Sequence, residues 1–353
     1  MIWQGEKNHS PDRKLSVMYW PVVGTLLEGF RHAEAGVEIL LGVGFSLAYH
    51  AAIGRLRRED VLLWVGTNGK LSQPWRKLRN AGVRTVYYNT EPMYHAPCDR
   101  YADTVDELWD FSYFNLERCA QAPMRPKTLR FIPPGFLREH RALTAASPPL
   151  PLVAGSNGGG SSGGSSGGNG GGGSGGDPRL SLVFFGLLDR LHGQRRACYL
   201  QLKERLGSRL VQRYDVWNES AFDALMASSE IFLNLHKFCT RRHPVTFRNA
   251  VLLNAKKLLL SERAHCLDER EYAGMMTFVD VPDLAATYER LIATDWRAAQ
   301  RLSHERFERH FAPRALFARA AVYRDWKLSS LPSDAGVASA AANYIDGERY
   351  ASC

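Results

Sequence analysis

The chain has no CxxC pair, no Asp-x-Asp motif, no long block of Lys or Arg and no apolar run of membrane-spanning length. Each absence removes a class of function. Six cysteines (Cys98, Cys119, Cys198, Cys239, Cys266, Cys353) are scattered without metal-ligand spacing, so no structural zinc site is expected and all six are predicted to be thiols in a reducing compartment. Met1 to Leu15 is polar and lacks the apolar segment of a secretory signal. The longest apolar stretch, ILLGVGFSLAYHAAIG over 39–54, is interrupted by glycines and His50 and is too short to span a bilayer. A cytoplasmic protein without a transmembrane segment is therefore expected. Basic residues outnumber acidic ones, 45 to 36, for a net charge of +9. They are dispersed rather than gathered into an aromatic-interleaved stripe, which argues against nucleic acid and for a phosphorylated ligand. The same excess is compatible with peripheral contact at an anionic membrane surface.

What the chain does contain is a repeating strand and helix pattern. Its 353 residues, 45% hydrophobic, suit two α/β domains better than one. In the first half the pattern predicts strands at Leu15–Val23, Val37–Leu41, Val61–Val65, Val83–Tyr88, Glu107–Phe111 and Thr128–Ile132. Helices fall between them, over 24–32, 46–58, 75–80 and 114–121. In the second half strands are expected at Leu180–Phe185, Leu210–Tyr214, Ile231–Leu235, Lys257–Leu260 and Met276–Val279, and two closing helices over 296–311 and 313–327. Gly42-Val43-Gly44 lacks the third glycine of a dinucleotide fingerprint and reads as a tight turn. Residues 155–176 are almost entirely Gly, Ser and Asn, a composition that does not bury enough apolar surface to order itself. The predicted division is residues 1–137, a flexible linker or insert over 138–177, a second Rossmann-like domain over 178–330, and a disordered tail over 331–353. Short connections between alternating strands and helices point to parallel sheets covered on both faces.

The chemistry concentrates in the second half. Leu180–Phe185 is an apolar strand ending at Gly186, and Gln194-Arg195-Arg196 opens the next helix. A glycine at a strand end, followed by a helix amino terminus carrying arginines, suits a diphosphate: the backbone approaches closely and the helix dipole favours an anion. Two arginines on a first helical turn also occur simply as exposed charge. The stretch Ile231–Glu262 then reads as strand, basic loop, helix, strand and acidic stop. Its strand ends present Asn234, His236, Lys237, Ser261 and Glu262, with Arg241, Arg242 and Arg248 nearby in sequence. Open α/β sheets bind ligands at the carboxyl ends of their strands. Guanidinium and ammonium groups would hold phosphates there, while a carboxylate accepts from sugar hydroxyls. A nucleotide-sugar has both features.

Seven segments in order resemble the GT-B type glycosyltransferases of the broad glycosyl transferases group 1 class. They are VLLWVG (61–66), VYYNTEP (86–92), ELWDFSYFNLE (107–117), FIPPGF (131–136), VFFGLLDRLHGQRR (183–196), IFLNLHKF (231–238) and FRNAVLLNAKKLLLSE (247–262). The resemblance implies two Rossmann-like domains facing across a cleft, the nucleotide-sugar donor on the second and the acceptor on the first. That division agrees with the reading of the residues themselves, which puts Gly186, Arg195, Arg196, His236, Lys237, Arg248, Ser261 and Glu262 at the donor, and Tyr88 and Asn89 at the acceptor. No cofactor beyond the nucleotide-sugar substrate is implied, and no metal is needed if arginines neutralise the leaving phosphate. Related sequences carry an acidic residue about three positions before the arginine that matches Arg248, where this chain has Val245.

In the first half, Glu91 follows a strand end and is the candidate acid-base or acceptor-orienting group, since partial burial at the mouth of a sheet raises a carboxyl pKa. A solvated Glu-Pro turn is the alternative. Tyr88 equally suits strand packing. Asp110 and Ser112 flank another strand end, where Ser112 is expected to cap the following helix. A non-catalytic module binding nucleotide or glycan is the second function consistent with the pattern.

Overall fold

The computed structural model describes residues 2–5, 20–32, 39–41, 54–58, 60–66, 73–90, 104–138, 178–188, 193–214, 216, 219–236 and 246–328. Two parallel sheets dominate it. The first contains β1 (Ile2–Gly5), β2 (Ile39–Leu41), β3 (Val61–Gly66), β4 (Arg84–Asn89), β5 (Glu107–Asp110) and β6 (Thr128–Phe131), in the order β2-β1-β3-β4-β5-β6. The second contains β7 (Leu182–Phe185), β8 (Leu210–Arg213), β9 (Ile231–Asn234), β10 (Leu258–Glu262) and β11 (Thr277–Val279), in the order β11-β10-β9-β7-β8. Every pairing is parallel. In the second sheet the chain leaves β7 toward β8 on one side and returns to β9 on the other. The carboxyl ends of β7 and β9 therefore flank a topological switch point, the crevice where such sheets take ligands.

The helices are α1 (Trp20–Arg31), α2 (Gln73–Asn80), α3 (Tyr113–Ala120), α4 (Gly193–Leu206), α5 (Glu219–Ser228), α6 (Thr246–Asn254), α7 (Cys266–Glu271), α8 (Leu284–Ala293), α9 (Trp296–His310), α10 (Pro313–Arg319) and α11 (Val322–Asp325). Strand alternation sorts the second core into two faces. Val183, Phe185, Phe232 and Leu259 pack against α6, whereas Leu182, Phe184, Ile231, Leu233 and Leu260 pack against α4 and α8. That sorting later decides which polar strand ends meet which helix.

Three expectations are corrected. Leu15–Val23 does not form the first strand: Trp20–Arg31 is helical, with Pro21 in its first turn and Val22, Val23, Leu26 and Phe30 buried along one face. Their spacing is helical, and proline is tolerated where the amide has no intrahelical partner. The first strand is Ile2–Gly5, hidden in a segment too polar to suggest it. The second correction concerns the cysteines. Cys119 and Cys266 are disulfide-bonded, and Cys198 is the free thiol among the described residues; spacing along the chain carries no information on such tertiary proximity. Third, the closing helix expected over 313–327 is two helices, because Ala321 takes a left-handed conformation at φ 56°.

Those last helices cross back to the first sheet. Phe317 packs edge-on against Phe30 (5.0 Å) and Trp109 (5.7 Å), and Trp326 lies over both. A buried polar cluster anchors them. Glu107 accepts from Arg130 Nε (2.7 Å), Trp109 Nε1 (2.9 Å) and Trp326 Nε1 (2.8 Å), while Arg130 also pairs with Asp325 at 3.0 Å. The FIPPGF turn joins the units at another point. Asn254 of α6 accepts from the Leu137 amide (2.8 Å) and donates to the Gly135 carbonyl (3.1 Å). A Cβ on Gly135 would stand 2.5 Å from the Phe311 carbonyl, so only glycine fits there.

Candidate functional site

The carboxyl ends of β7, β9 and β10 bring together most of the residues expected at the donor. Gly186 follows β7; its amide donates to the Arg213 carbonyl (2.9 Å) and its carbonyl accepts from Gln212 Nε2 (3.0 Å). Its backbone is thus already engaged, and what the glycine supplies is space. A Cβ there would lie 3.2 Å from Arg248 Nη1 and 3.0 Å from the Phe184 ring.

Two arginines converge on that space from opposite faces of the sheet. Arg195, in the first turn of α4, is buried, lies 5.8 Å from the Phe184 ring centroid and donates from Nε to the His236 carbonyl (3.2 Å). Arg248, in the first turn of α6, lies 5.2 Å from the Phe185 ring centroid on the other face. Only 8% of Arg248 is exposed, yet its Nε and Nη1 have no hydrogen-bond partner. Burial, and secondarily the charge of Arg195, lower its guanidinium to about 9. An unpaired buried cation beside a second one is strongly unfavourable unless an anion joins them. Two helix amino termini add partial positive charge at the same edge.

The other residues expected at the donor form a frame beside the two arginines. The His236 amide donates to Glu262 Oε1, and its Nε2 donates to the Arg263 carbonyl at 2.7 Å. Asn234 Nδ2 donates to Ser261 Oγ (2.9 Å), which in turn donates to the Glu262 carbonyl (2.8 Å). His236, Ser261 and Glu262 are therefore held together, with Glu262 half-buried at the rim. Arg196 is exposed. Lys237, Arg241, Arg242 and Val245 lie outside the described residues.

On the first sheet, Glu91 also lies outside the described residues. Tyr88 and Asn89 are buried and internally bonded: the Tyr88 hydroxyl donates to the Ile132 carbonyl (2.7 Å), and Asn89 Nδ2 donates to Asp110 (2.7 Å). Asp110 is fully buried and also accepts from the Ser112 amide (2.9 Å) and Asn115 Nδ2 (3.0 Å). Burial raises its carboxyl to about 8 despite those donors.

Ser112 occupies the expected N-cap of α3, but its side chain does not cap. The cap comes from the other half of the chain. Asp268 of α7, fully buried, accepts from Ser112 Oγ (2.8 Å) and the Tyr113 amide (2.8 Å). Burial raises Asp268 to about 7, with Glu271 adding to the effect. Sequence reading missed this residue, since a cap 156 positions away has no local signature. Asn249, next to Arg248 and fully buried, was also missed. A polar residue on a helix whose nine positions are all buried is the signal that would have found it.

Comparison with solved structures decides the architecture. HepE from Anabaena, in complex with UDP and glucose, superposes with a TM-score of 0.54 at 12% identity, covering 92% of this chain and 99% of that one. The fold is GT-B. The trehalose-6-phosphate structure from E. coli bound with UDP-2-fluoro glucose gives a TM-score of 0.52 at 12% identity, with 94% and 92% coverage. A putative UDP-N-acetylglucosamine 2-epimerase from Listeria monocytogenes gives 0.50 at 11% identity, with 94% and 98% coverage. No protein-family model and no curated protein matches the chain in sequence. As a GT-B chain, it has its switch-point crevice in the second sheet, beside the Arg195 and Arg248 pair. Among the described residues no helix is long and apolar enough to cross a membrane.

Proposed function

We propose that this protein is a glycosyltransferase that takes a sugar from a nucleotide-sugar donor bound by the second unit and passes it to an acceptor held by the first. One observation carries the reading: Arg248, buried and without a partner at two of its nitrogens, stands beside Arg195 at the carboxyl end of β7. A diphosphate is the ligand chemistry that satisfies both guanidinium groups, and fixed arginines are suited to planar, bidentate recognition of phosphate. Further support is that two chains sharing this fold were solved with UDP or a UDP-linked glucose.

During transfer the bond from the sugar's anomeric carbon to the donor phosphate breaks, and its electron pair stays on the nucleoside diphosphate. The acceptor oxygen bonds to the same carbon and loses its proton. Arg195, Arg248 and the amino ends of α4 and α6 stabilise the charge gathering on the leaving group, which is what a preorganised site contributes. Cationic side chains in that role make the proposed reaction independent of metal. Glu91 is the proposed base if configuration inverts; with retention, the leaving phosphate itself takes the proton.

Val245, in place of a carboxylate that would contact donor hydroxyls, favours a second reading, a binding module without turnover. Incubating the protein with UDP-glucose and following UDP release separates the two. Slow release by wild type, abolished in Arg248→Ala, supports the transferase. Binding without release at any enzyme concentration assigns the module.

A further inference from the structure

The polar atoms left unmatched near Arg248 are not all suited to phosphate. Asn249 is 0% exposed, and neither its Oδ1 nor its Nδ2 has a partner. Exchanging the two atoms of that carboxamide changes nothing. Asn234 is 1% exposed; its Nδ2 is fixed on Ser261 Oγ at 2.9 Å, and its Oδ1 has no partner. Strand alternation puts Asn234 and Ser261 on the face of the sheet that α6 covers. Phe232 and Leu259 face α6, so Asn234 and Ser261, two positions further along β9 and β10, do so as well. Phe185 belongs to the same face and lies under Arg248. Buried polar groups in native proteins are almost always satisfied, so orphans on the first turn of α6 and on a strand end of the face that α6 covers mark where something polar belongs.

The mixture of atoms identifies the class of partner. A diphosphate only accepts hydrogen bonds at neutral pH, so it matches the guanidinium nitrogens and repels two carboxamide oxygens. A hydroxyl both donates and accepts, and neighbouring ring hydroxyls would serve the oxygens of Asn234 and Asn249 and the Asn249 amide together. We infer that Asn249, with Asn234 oriented by Ser261, reads ring hydroxyls of the nucleotide-sugar while the arginine pair reads its diphosphate. This inference rests on the proposed donor site and divides its labour. The hydroxyls belong either to the ribose or to the transferred sugar, and a ladder of ligands tells these apart.

The test titrates pyrophosphate, UDP and UDP-glucose calorimetrically into wild type, Asn249→Leu and Asn234→Leu, with a melting curve of each free protein. In Asn249→Leu, pyrophosphate affinity is expected to stay within about twofold and UDP-glucose affinity to fall about tenfold or more, as for a lost hydrogen-bonded pair. Loss confined to UDP-glucose assigns the transferred sugar; equal loss for UDP and UDP-glucose assigns the ribose. The free Asn249→Leu protein should melt at the wild-type temperature or above it, because an apolar group of similar shape replaces an unsatisfied amide. Unchanged UDP-glucose affinity, or pyrophosphate lost in parallel, overturns the inference. So does a free variant that melts several degrees lower, which would mean that the amide is satisfied by buried water and serves the fold. If none of the three ligands binds wild type, the donor site itself fails, and that result appears before any variant is considered.

Discussion

Replacing Arg248 by methionine should make the free protein more stable, although it deletes a buried residue of the proposed site. The guanidinium falls from the ordinary arginine value to about 9, burial being the larger cause and Arg195 the smaller. At about 1.4 kcal/mol per pH unit, the folded state carries a penalty on the order of 5 kcal/mol for keeping this group charged near pH 7. The sign follows from proton binding: from pH 9 upward into the ordinary arginine range the unfolded chain binds the proton and the folded chain does not, so the penalty is fully present below 9 and relieved above it. Methionine keeps contact with the Phe185 ring but loses the cation–π attraction, worth about 1 to 2 kcal/mol when desolvated. The net gain is then about 3 kcal/mol, or roughly 4 °C in melting temperature for a chain of this size. Differential scanning calorimetry in a phosphate-free buffer reads it directly. Adding pyrophosphate should raise the wild-type melting point and leave Arg248→Met unmoved. A variant that melts below wild type, as an ordinary core substitution does, would refute the view that this guanidinium waits for an anion.

Other perturbations test the frame around the site. Asp268→Ala removes the cap of α3 and leaves the Ser112 hydroxyl and Tyr113 amide buried without an acceptor; denaturant titration should show a loss of about 2 to 4 kcal/mol. Asp110 and Asp268 are raised to about 8 and about 7 from 3.8. The folded state therefore holds their protons more tightly, and the stability they contribute, complete below about pH 4, is lost as pH rises through 7 and 8. Melting temperature should decline between pH 5 and 9 in wild type and decline less in Asp268→Asn; parallel profiles would contradict the assignment. Phe317→Ala opens a cavity between α1, α10 and the first sheet and should cost about 3 to 5 kcal/mol by denaturant titration.

Much of this architecture was legible in the sequence because the elements of both sheets are locally encoded. Val61–Gly66, Arg84–Asn89 and the strands of the second sheet are apolar runs bounded by turn residues, and each lies within two residues of its expected place. That Gly186, Arg195, Arg248, His236, Ser261 and Glu262 would gather at one edge was legible as well, since strand ends in a parallel sheet converge there. What escaped was set by distant contacts. Pro21 in a helical first turn disguised α1, and four residues of mixed polarity disguised β1. Asp268 looked like one acid among several on a short polar segment until the fold brought it to Ser112. The return of α10 and α11 to the first sheet was equally invisible, because the pairing of Trp326 with Glu107 spans 219 positions.

The central claim is that the carboxyl edge of the second sheet is a nucleoside diphosphate site built on Arg248. Its most direct test is isothermal titration of UDP into wild type and Arg248→Ala at moderate salt. The account predicts saturable binding by wild type and a loss of at least about tenfold in Arg248→Ala, the weight of one charge-assisted hydrogen-bonded contact. Equal UDP affinity in the two proteins would contradict it, because the buried guanidinium would then be left without its anion.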